Sequence, residues 1–315
     1  MLNKLKKSYW GILIALIFSQ PILAIEENCD YAADLLLYAY NLRDNISLKK
    51  LLFIKSLHFC HSQANVHNTL ANIFKEEGQY AKAIFHYRHA LNIRPNFFEA
   101  WFGIGATYDV QRQFSLSLEA YSHICQINEE AKMQIIRLLK DKRYATIAKD
   151  MVLDTDSLLA LYQPERRDAL NMRLADCGLH KQAQPLFIFL NLYFDTRTVS
   201  FSNAEVVKQQ LNEIIAALRH INPIQNVNVH GHTDSRPFKN LSFMESKQRN
   251  LQLSEERAGM IADTLRQYDV KQSIKVYGHG YSQPFIWGDS LIAHTKNRRI
   301  EIEVEPIKQK SIDNY

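Results

Sequence analysis

The sequence lacks the features that mark several common classes of protein. It contains no nucleophile elbow, no P-loop and no glycine-rich dinucleotide fingerprint, so the enzymes that carry these motifs are excluded. After the N-terminal region, no apolar run reaches the roughly 20 residues of a membrane-spanning helix. The chain also has no large excess of one charge, since it contains 38 Lys and Arg and 33 Asp and Glu. Without a clustered basic face, this balance is not typical of a nucleic-acid-binding protein.

The first 24 residues have the layout of a secretory signal peptide. Lys4, Lys6 and Lys7 precede an apolar run from Tyr9 to Phe18, and the small residue Ala24 ends the segment. We predict cleavage after Ala24 and export to the periplasm of a diderm bacterium. The alternative is an uncleaved anchor. That would make the protein an inner-membrane-anchored, stator-like subunit of an envelope complex, touching the membrane through this segment alone.

Cysteine is sparse. The four residues are Cys29, Cys60, Cys125 and Cys177. Their spacing is not that of a zinc site, and an exported protein favours disulfides. Four cysteines allow three connectivities, and the sequence does not choose among them. We predict a bond between Cys29 and Cys60 because it would tie together the first two helices of the mature chain.

Residues 25–184 are predicted to form a helical domain with a 34-residue internal repeat. With Ala64 as position 1, small and aromatic residues fall where a tetratricopeptide repeat has them. They are Leu70, Ala71, Phe74, Gly78, Tyr80, Ala83, Tyr87, Ala90 and Pro95. A second, weaker unit begins at Phe98. The pattern resembles tetratricopeptide (TPR) domains, which implies a surface that binds a protein of the envelope; the alternative is a helical bundle that binds nothing.

Residues 185–305 alternate strands with helices, and residues 306–315 form a tail. The predicted strands are 186–194, 227–230, 274–277 and 299–304. Ser202 followed by Glu205 predicts a capping box at the start of one helix, and Ser254 predicts the N-cap of the next. The fold class is therefore an α/β (α+β) sandwich of a mixed sheet with helices.

Four motifs in this region follow one another across about 75 residues. They are Gly231-His232-Thr233-Asp234, Asn250-x-x-Leu253-Ser254-x-x-Arg257-Ala258, Gly278-x-Gly280-x-x-x-Pro284 and Asn297-Arg298-Arg299-x-Glu301-Ile302. Together they resemble the OmpA-like peptidoglycan-binding domain family over roughly residues 185–305. The insert 235–249 is longer than in the shorter members of the family. It carries Lys239, Lys247 and Arg249.

The predicted binding site centres on Arg257 and Asp234. An arginine three residues after a helix cap at Ser254 opposes the helix dipole, unless a carboxylate binds there. Asp234, on a turn, could accept hydrogen bonds from an ammonium. The resemblance implies that the ligand is diaminopimelate of the wall peptide, with contacts from Thr233, Asn250, Arg299 and Arg298. Arg298 is the less favoured of the two adjacent arginines because neighbouring strand residues point to opposite faces.

A metal-hydrolase interpretation is the third alternative. His230, His232 and Asp234 fit the pattern His-x-His-x-Asp, which could ligate zinc. The metallo-β-lactamase pattern has a further His after the Asp, where this chain has Ser235. The preferred prediction is a non-enzymatic adaptor without a cofactor. It would bind peptidoglycan through its C-terminal half and lie in the periplasm, in association with the cell wall and the outer membrane.

Overall fold

A computed structural model of the chain describes residues 27–42 and 45–305. The predicted signal peptide, its cleavage site and the tail 306–315 lie outside these residues. Within the two described ranges, no helix combines the length and the apolar character that crossing a membrane requires.

Helical hairpins build the N-terminal half. The helices are α1 (Cys29–Asn41), α2 (Ile46–Phe59), α3 (Ala64–Glu76), α4 (Tyr80–Ile93), α5 (Phe98–Val110), α6 (Phe114–Ser122) and α7 (Glu129–Leu139). Small residues let them pack closely: a Cβ on Gly103 of α5 would lie 2.3 Å from the ring of Tyr87 in α4. The TPR-like prediction for this region is confirmed.

A five-stranded mixed sheet follows. Its strands are β1 (Thr146–Ile147), β2 (Leu186–Phe189), β3 (Asn226–Gly231), β4 (Ser273–Gly278) and β5 (Ile300–Val304), in the spatial order β1-β2-β5-β3-β4. The β1–β2 and β3–β4 pairs are parallel, whereas β5 runs antiparallel to both of its neighbours. The predicted alternation in the last strand is confirmed, since Ile300, Ile302 and Val304 are fully buried.

The remaining helices surround the sheet. They are α8 (Thr155–Tyr162), α9 (Pro164–Asp176), α10 (Ala204–Arg219), α11 (Phe243–Gln267) and α12 (Leu291–Asn297). One apolar core runs from α6 and α7 through α8 to the sheet and to helices α10 and α11. The buried hydroxyl of Tyr162 donates a hydrogen bond to the carbonyl of Ile302 at 2.9 Å. Strand β1, which the sequence did not reveal, comes from residues between the TPR-like helices and the rest of the sheet.

Two disulfides fix the helical region. The predicted Cys29–Cys60 bond is present and ties α1 to the end of α2. The second bond joins Cys125, just after α6, to Cys177 at the end of α9. The paired cysteines are separated by 31 and by 52 residues, so each bond restricts the unfolded chain as well as the folded one.

The structure corrects three sequence-based boundaries. Helix α11 begins at Phe243, where Ser242 and Glu245 form a capping box, so Ser254 lies well inside the helix and is not its cap. Helix α10 is capped by Asn203, whose side-chain oxygen accepts a hydrogen bond from the backbone of Val206. The first predicted strand ends at Phe189 and not at residue 194. The insert before Asn250 contains no helix breaker after residue 242, and it therefore extends α11 toward the N-terminus.

Candidate functional site

A narrow cleft with a cavity volume of about 20 Å³ lies where β3 ends against the first half of α11. Five of the six predicted site residues line it: Thr233, Asp234, Asn250, Arg257 and Arg298. The other lining residues are Thr196, Arg197, Arg236, Phe238 and Leu253. Arg299 lines a different cleft. The four sequence motifs therefore meet in space, but they do not all serve one site.

Glycines allow α11 to lie directly on the strand ends. A Cβ on Gly231 would stand 1.9 Å from the carbonyl oxygen of Ser254, and a Cβ on Gly278 would stand 2.8 Å from the backbone nitrogen of Glu255. Ser254 also accepts a hydrogen bond from the backbone N–H of Gly280 at 2.8 Å. The glycines and the serine of the motifs thus position the helix that carries Asn250 and Arg257.

Asp234 sits between two arginines. Its Oδ2 accepts hydrogen bonds from Arg236 at 2.7 Å and from Arg298 at 2.6 Å, and its Oδ1 accepts one from the backbone of Arg236 at 3.1 Å. Burial alone would raise the pKa of Asp234, but these hydrogen bonds outweigh it, and the pKa lies below its ordinary value. Asp234 is therefore a carboxylate at neutral pH. Sequence reasoning missed Arg236, although its position two residues after Asp234 was a usable signal.

Arg257 is 1% exposed and has no acidic partner among the described residues. Its Nε donates to the carbonyl of Thr198 at 3.0 Å, and its Nη2 donates to the carbonyl of Asp195 at 2.9 Å. The guanidinium also lies 4.9 Å from the ring centroid of Phe194. Burial, followed by the charge of Arg298, lowers the pKa of Arg257 to about 10, so the group remains a cation.

The reasoning from the helix dipole to Arg257 was wrong, because the residue is not at the start of a helix. Residues 195–198 hold the guanidinium instead, through backbone carbonyls. The nearby Glu256 does not pair with it and is bound to Arg249. Arg257 consequently presents to the cleft a buried positive charge that forms no direct ion pair with an acidic side chain of the described residues, although the charges of Asp234 and Glu256 act on it from a distance.

Further polar atoms of the cleft have no hydrogen-bond partner in the part of the chain that the structure describes. They are Oγ1 of Thr233, Nδ2 of Asn250 and Nε of Arg298, all of them buried. A buried polar atom without a partner costs about 1–3 kcal/mol. Three such atoms lie around this one charged cleft.

The Asn297-Arg298-Arg299 motif divides into three roles. Asn297 is structural: its Oδ1 accepts hydrogen bonds from the backbone of Phe285 at 2.7 Å and of Ile286 at 2.9 Å. Arg298 points into the cleft beside Asp234 and donates to the hydroxyl of Tyr193 at 2.6 Å. Arg299 points away and binds Glu301 at 2.7 Å.

The preference for Arg299 over Arg298 as a contact in this cleft was therefore wrong. The side chains of Arg298 and Arg299 do point to opposite sides, as predicted for neighbouring residues. The sequence could not reveal which of the two faces Asp234. Their register follows from the end of α12 and the start of β5.

The three residues of the metal-hydrolase interpretation do not converge. Nδ1 of His230 shares a hydrogen bond with Nε2 of His279 at 3.0 Å, whereas Asp234 faces its arginines. His232 is 1% exposed, and burial, with the charge of Arg299, lowers its pKa to about 2. Over residues 27–42 and 45–305, the cluster of potential metal ligands within 4.8 Å is Glu27, Cys29 and Cys60. Its two sulfurs form a disulfide.

Comparisons with solved structures return partial matches to each half of the chain. The match to the periplasmic domain of MotB is 22% identical with a TM-score of 0.32, and it covers 38% of this chain and 64% of that domain, less than two-thirds of its length. The peptidoglycan-associated lipoprotein from Burkholderia pseudomallei is 21% identical with a TM-score of 0.31, over 36% of this chain and 87% of that one. The Sgt2 TPR domain from Aspergillus fumigatus is 16% identical with a TM-score of 0.34, over 39% and 85%.

A search of curated proteins returned no significant match. Two family models match separate parts of the chain. The model of the TPR repeat matches residues 71–109, within α3 to α5, and the model of the OmpA family matches residues 193–298, which contain every residue of the cleft. The chain thus carries a TPR repeat in its helical half and an OmpA-family domain in its C-terminal half.

Proposed function

We propose that the OmpA-family domain binds peptidoglycan without covalent chemistry, and that the whole chain is a wall-anchored adaptor of the periplasm. The family match and the meeting of residues from three of the four motifs at one cleft support this function. The lining of the cleft includes the carboxylate of Asp234 and the guanidinium groups of Arg197, Arg236, Arg257 and Arg298. These fixed charges are suited to the recognition of a charged ligand.

The observation that carries the proposal is the pair of opposite charges on two walls of the cleft. Asp234 would accept hydrogen bonds from an ammonium group, and Arg257 would bind a carboxylate. The side-chain end of diaminopimelate in a wall peptide has both groups on one carbon atom. Thr233 and Asn250, whose side chains each carry an unpartnered buried atom, would complete the shell around the ligand.

Arg236 has to move for this ligand to bind. Its guanidinium occupies the side of Asp234 where the ammonium would lie. The Arg236 side chain is 38% exposed, so it can turn into water at a small cost in free energy. Arg298 is 6% exposed and remains beside Asp234 in the bound state.

Sedimentation of the purified protein with two kinds of sacculi tests the proposal. In one, the third residue of the stem peptide is diaminopimelate; in the other, it is lysine, which keeps the ammonium and lacks the adjacent carboxylate. We expect the protein to sediment with the first kind and to remain largely in solution with the second. Equal binding to both would contradict recognition of the ammonium–carboxylate pair, and binding to neither would contradict the proposed function.

We also propose that the helical half binds a protein partner. Large apolar side chains are exposed on α1 and α2, including Leu37 (66%), Tyr38 (56%) and Leu51 (59%). Exposed apolar side chains of this size on two neighbouring helices are candidates for a protein–protein contact. The cleft around Asp234 and Arg257 is called the wall cleft below. Cross-linking in cells should capture the same partner with the wild type and with a variant in the wall cleft. A folded Leu37→Glu/Leu51→Glu variant should lose it, and retention of the partner by that variant would exclude this surface.

A further inference from the structure

A second and larger cleft, of about 1020 Å³, lies at the junction of the two halves. One wall is the segment 140–143 that follows α7, and the other is the loop 283–286 with α12. Strands β1, β2 and β5 also contribute lining residues. The cleft is separate from the one around Asp234, since the adjacent residues Arg298 and Arg299 face the two different clefts.

Positive charge is concentrated in this junction cleft. Its lining includes six cations and two acids, a formal balance of 6 − 2 = +4 within a chain whose total is +5. The cations are Arg137, Lys140, Lys142, Arg143, Lys296 and Arg299. Arg137 pairs with Asp109 and Arg299 with Glu301, but no acidic group among the described residues lies within 4.0 Å of Lys142 or Lys296. The cleft therefore attracts anions.

Arg299 gives the cleft a buried donor. The residue is 5% exposed, and it donates from Nε to Glu301 at 2.7 Å and from Nη2 to the carbonyl of Gln283 at 3.1 Å. Its Nη1 is buried and has no partner among the described residues. An unpaired guanidinium N–H in a cleft is stabilised when an anionic ligand supplies an acceptor.

The rest of the lining is apolar, and it reaches an edge of the sheet. Ile188, Leu190 and Phe285 line the cleft between the cations. Strand β1 is one of the two outer strands of the described sheet, and its residue Thr146 also lines the cleft. A small inorganic anion would leave both the apolar side chains and the strand edge unused. An extended peptide can use all three features, because it offers carboxylates, apolar side chains and backbone hydrogen bonds.

We propose that the junction cleft binds an extended acidic peptide segment of a protein partner, with carboxylates on Arg299, Lys142 and Lys296 and apolar side chains against Ile188 and Phe285. The site lies outside the wall cleft and leaves Asp234 and Arg257 free. The protein could therefore hold peptidoglycan and such a segment at the same time.

Fluorescence anisotropy with the purified protein tests this proposal. The probe is a labelled octapeptide of alternating Glu and Leu, and the control probe alternates Lys and Leu. We expect saturable binding of the acidic peptide only. The variant Lys142→Gln/Lys296→Gln should weaken it about 2- to 30-fold, the effect of losing two partly exposed ion pairs. The matched control, Lys208→Gln/Lys271→Gln, changes the net charge equally but away from the cleft and should bind like wild type.

Three outcomes would overturn the proposal. The acidic peptide could fail to bind, or the control variant could lose as much affinity as the cleft variant, which would indicate a general charge effect. Vesicles of phosphatidylglycerol could bind at the cleft in place of the peptide, which would make the ligand a lipid. The variant Asp234→Ala/Arg257→Ala should retain peptide binding, so failure at the wall cleft and failure at the junction cleft are distinguishable.

Discussion

Replacing Gly231 with alanine should move α11 off the sheet. Gly231 is not in the left-handed backbone region, so conformational freedom is not the reason for a glycine here. The reason is contact: the new Cβ would stand 1.9 Å from the Ser254 carbonyl oxygen, while Cβ atoms essentially never come closer than 3.0 Å. The two elements must separate by at least 3.0 − 1.9 = 1.1 Å. The atom that has to yield is backbone in the middle of a long helix, so no side-chain rotation relieves the clash.

The free energy of unfolding should fall by about 3 kcal/mol, the upper end for overpacking. With a urea slope of roughly 3 kcal/mol per molar, the unfolding midpoint moves down by about 1 M. Gly259→Ala is the matched control. It lies in the same helix with nothing within 4 Å of its Cβ, and alanine there should stabilise by about 0.5–1 kcal/mol.

Urea unfolding followed by circular dichroism measures both variants. Because the shift also displaces Asn250 and Arg257, Gly231→Ala should weaken sedimentation with sacculi under conditions where the protein is still folded. A wild-type midpoint for Gly231→Ala, or an equal loss of stability for both variants, would refute the close-packing argument.

Three further predictions concern titration, competition and cross-linking. The folded pKa of His232 is about 2, below its unfolded value of 6.5. The free energy of unfolding is therefore highest above pH 6.5, and it decreases as the pH falls, because the unfolded chain then binds a proton that the folded chain does not. Urea melts at pH 7 and pH 5 should differ by about 2 kcal/mol on account of this residue, and His232→Phe should remove that part. Arg236→Gln should free Asp234 and tighten sacculus binding by about 1.5- to 5-fold in sedimentation assays; weaker binding would mean that Arg236 itself holds the ligand. Cys125→Ser/Cys177→Ser should cost about 4 kcal/mol in thermal melts, given the separation of 52 residues.

The fold was largely accessible from the sequence because its elements follow simple periodicities. The face of Val207, Leu211, Ile214, Ile215 and Leu218 on α10 is buried as predicted, since one stripe of a helix must pack against the sheet. The alternation in β5 is equally direct. Strand β1 could not be found in this way, because two residues are too few to show a period and their partner in β2 lies 42 residues further along the chain.

Five of the six predicted residues line one cleft, but their geometry was not predictable from the sequence. Asp234 and Arg257 do share a cleft, yet the argument from Ser254 as a helix cap failed because serine is equally able to bond within a helix and to a neighbouring loop. The register of Arg298 and Arg299 depends on how α12 meets β5, which is a tertiary contact. Local patterns carry no information on such contacts.

The central claim is that Asp234 and Arg257 together hold the wall peptide. The most direct test is sedimentation of the double variant Asp234→Ala/Arg257→Ala with diaminopimelate-containing sacculi, after circular dichroism has shown that it is folded. Removing one member of a buried charge pair costs about 2–5 kcal/mol, roughly a 30-fold to several-thousand-fold loss of affinity. We expect the double variant to stay in the supernatant, whereas Lys247→Ala, a substitution of an exposed residue of the insert, should sediment like wild type. Undiminished sedimentation of the folded double variant would contradict the account.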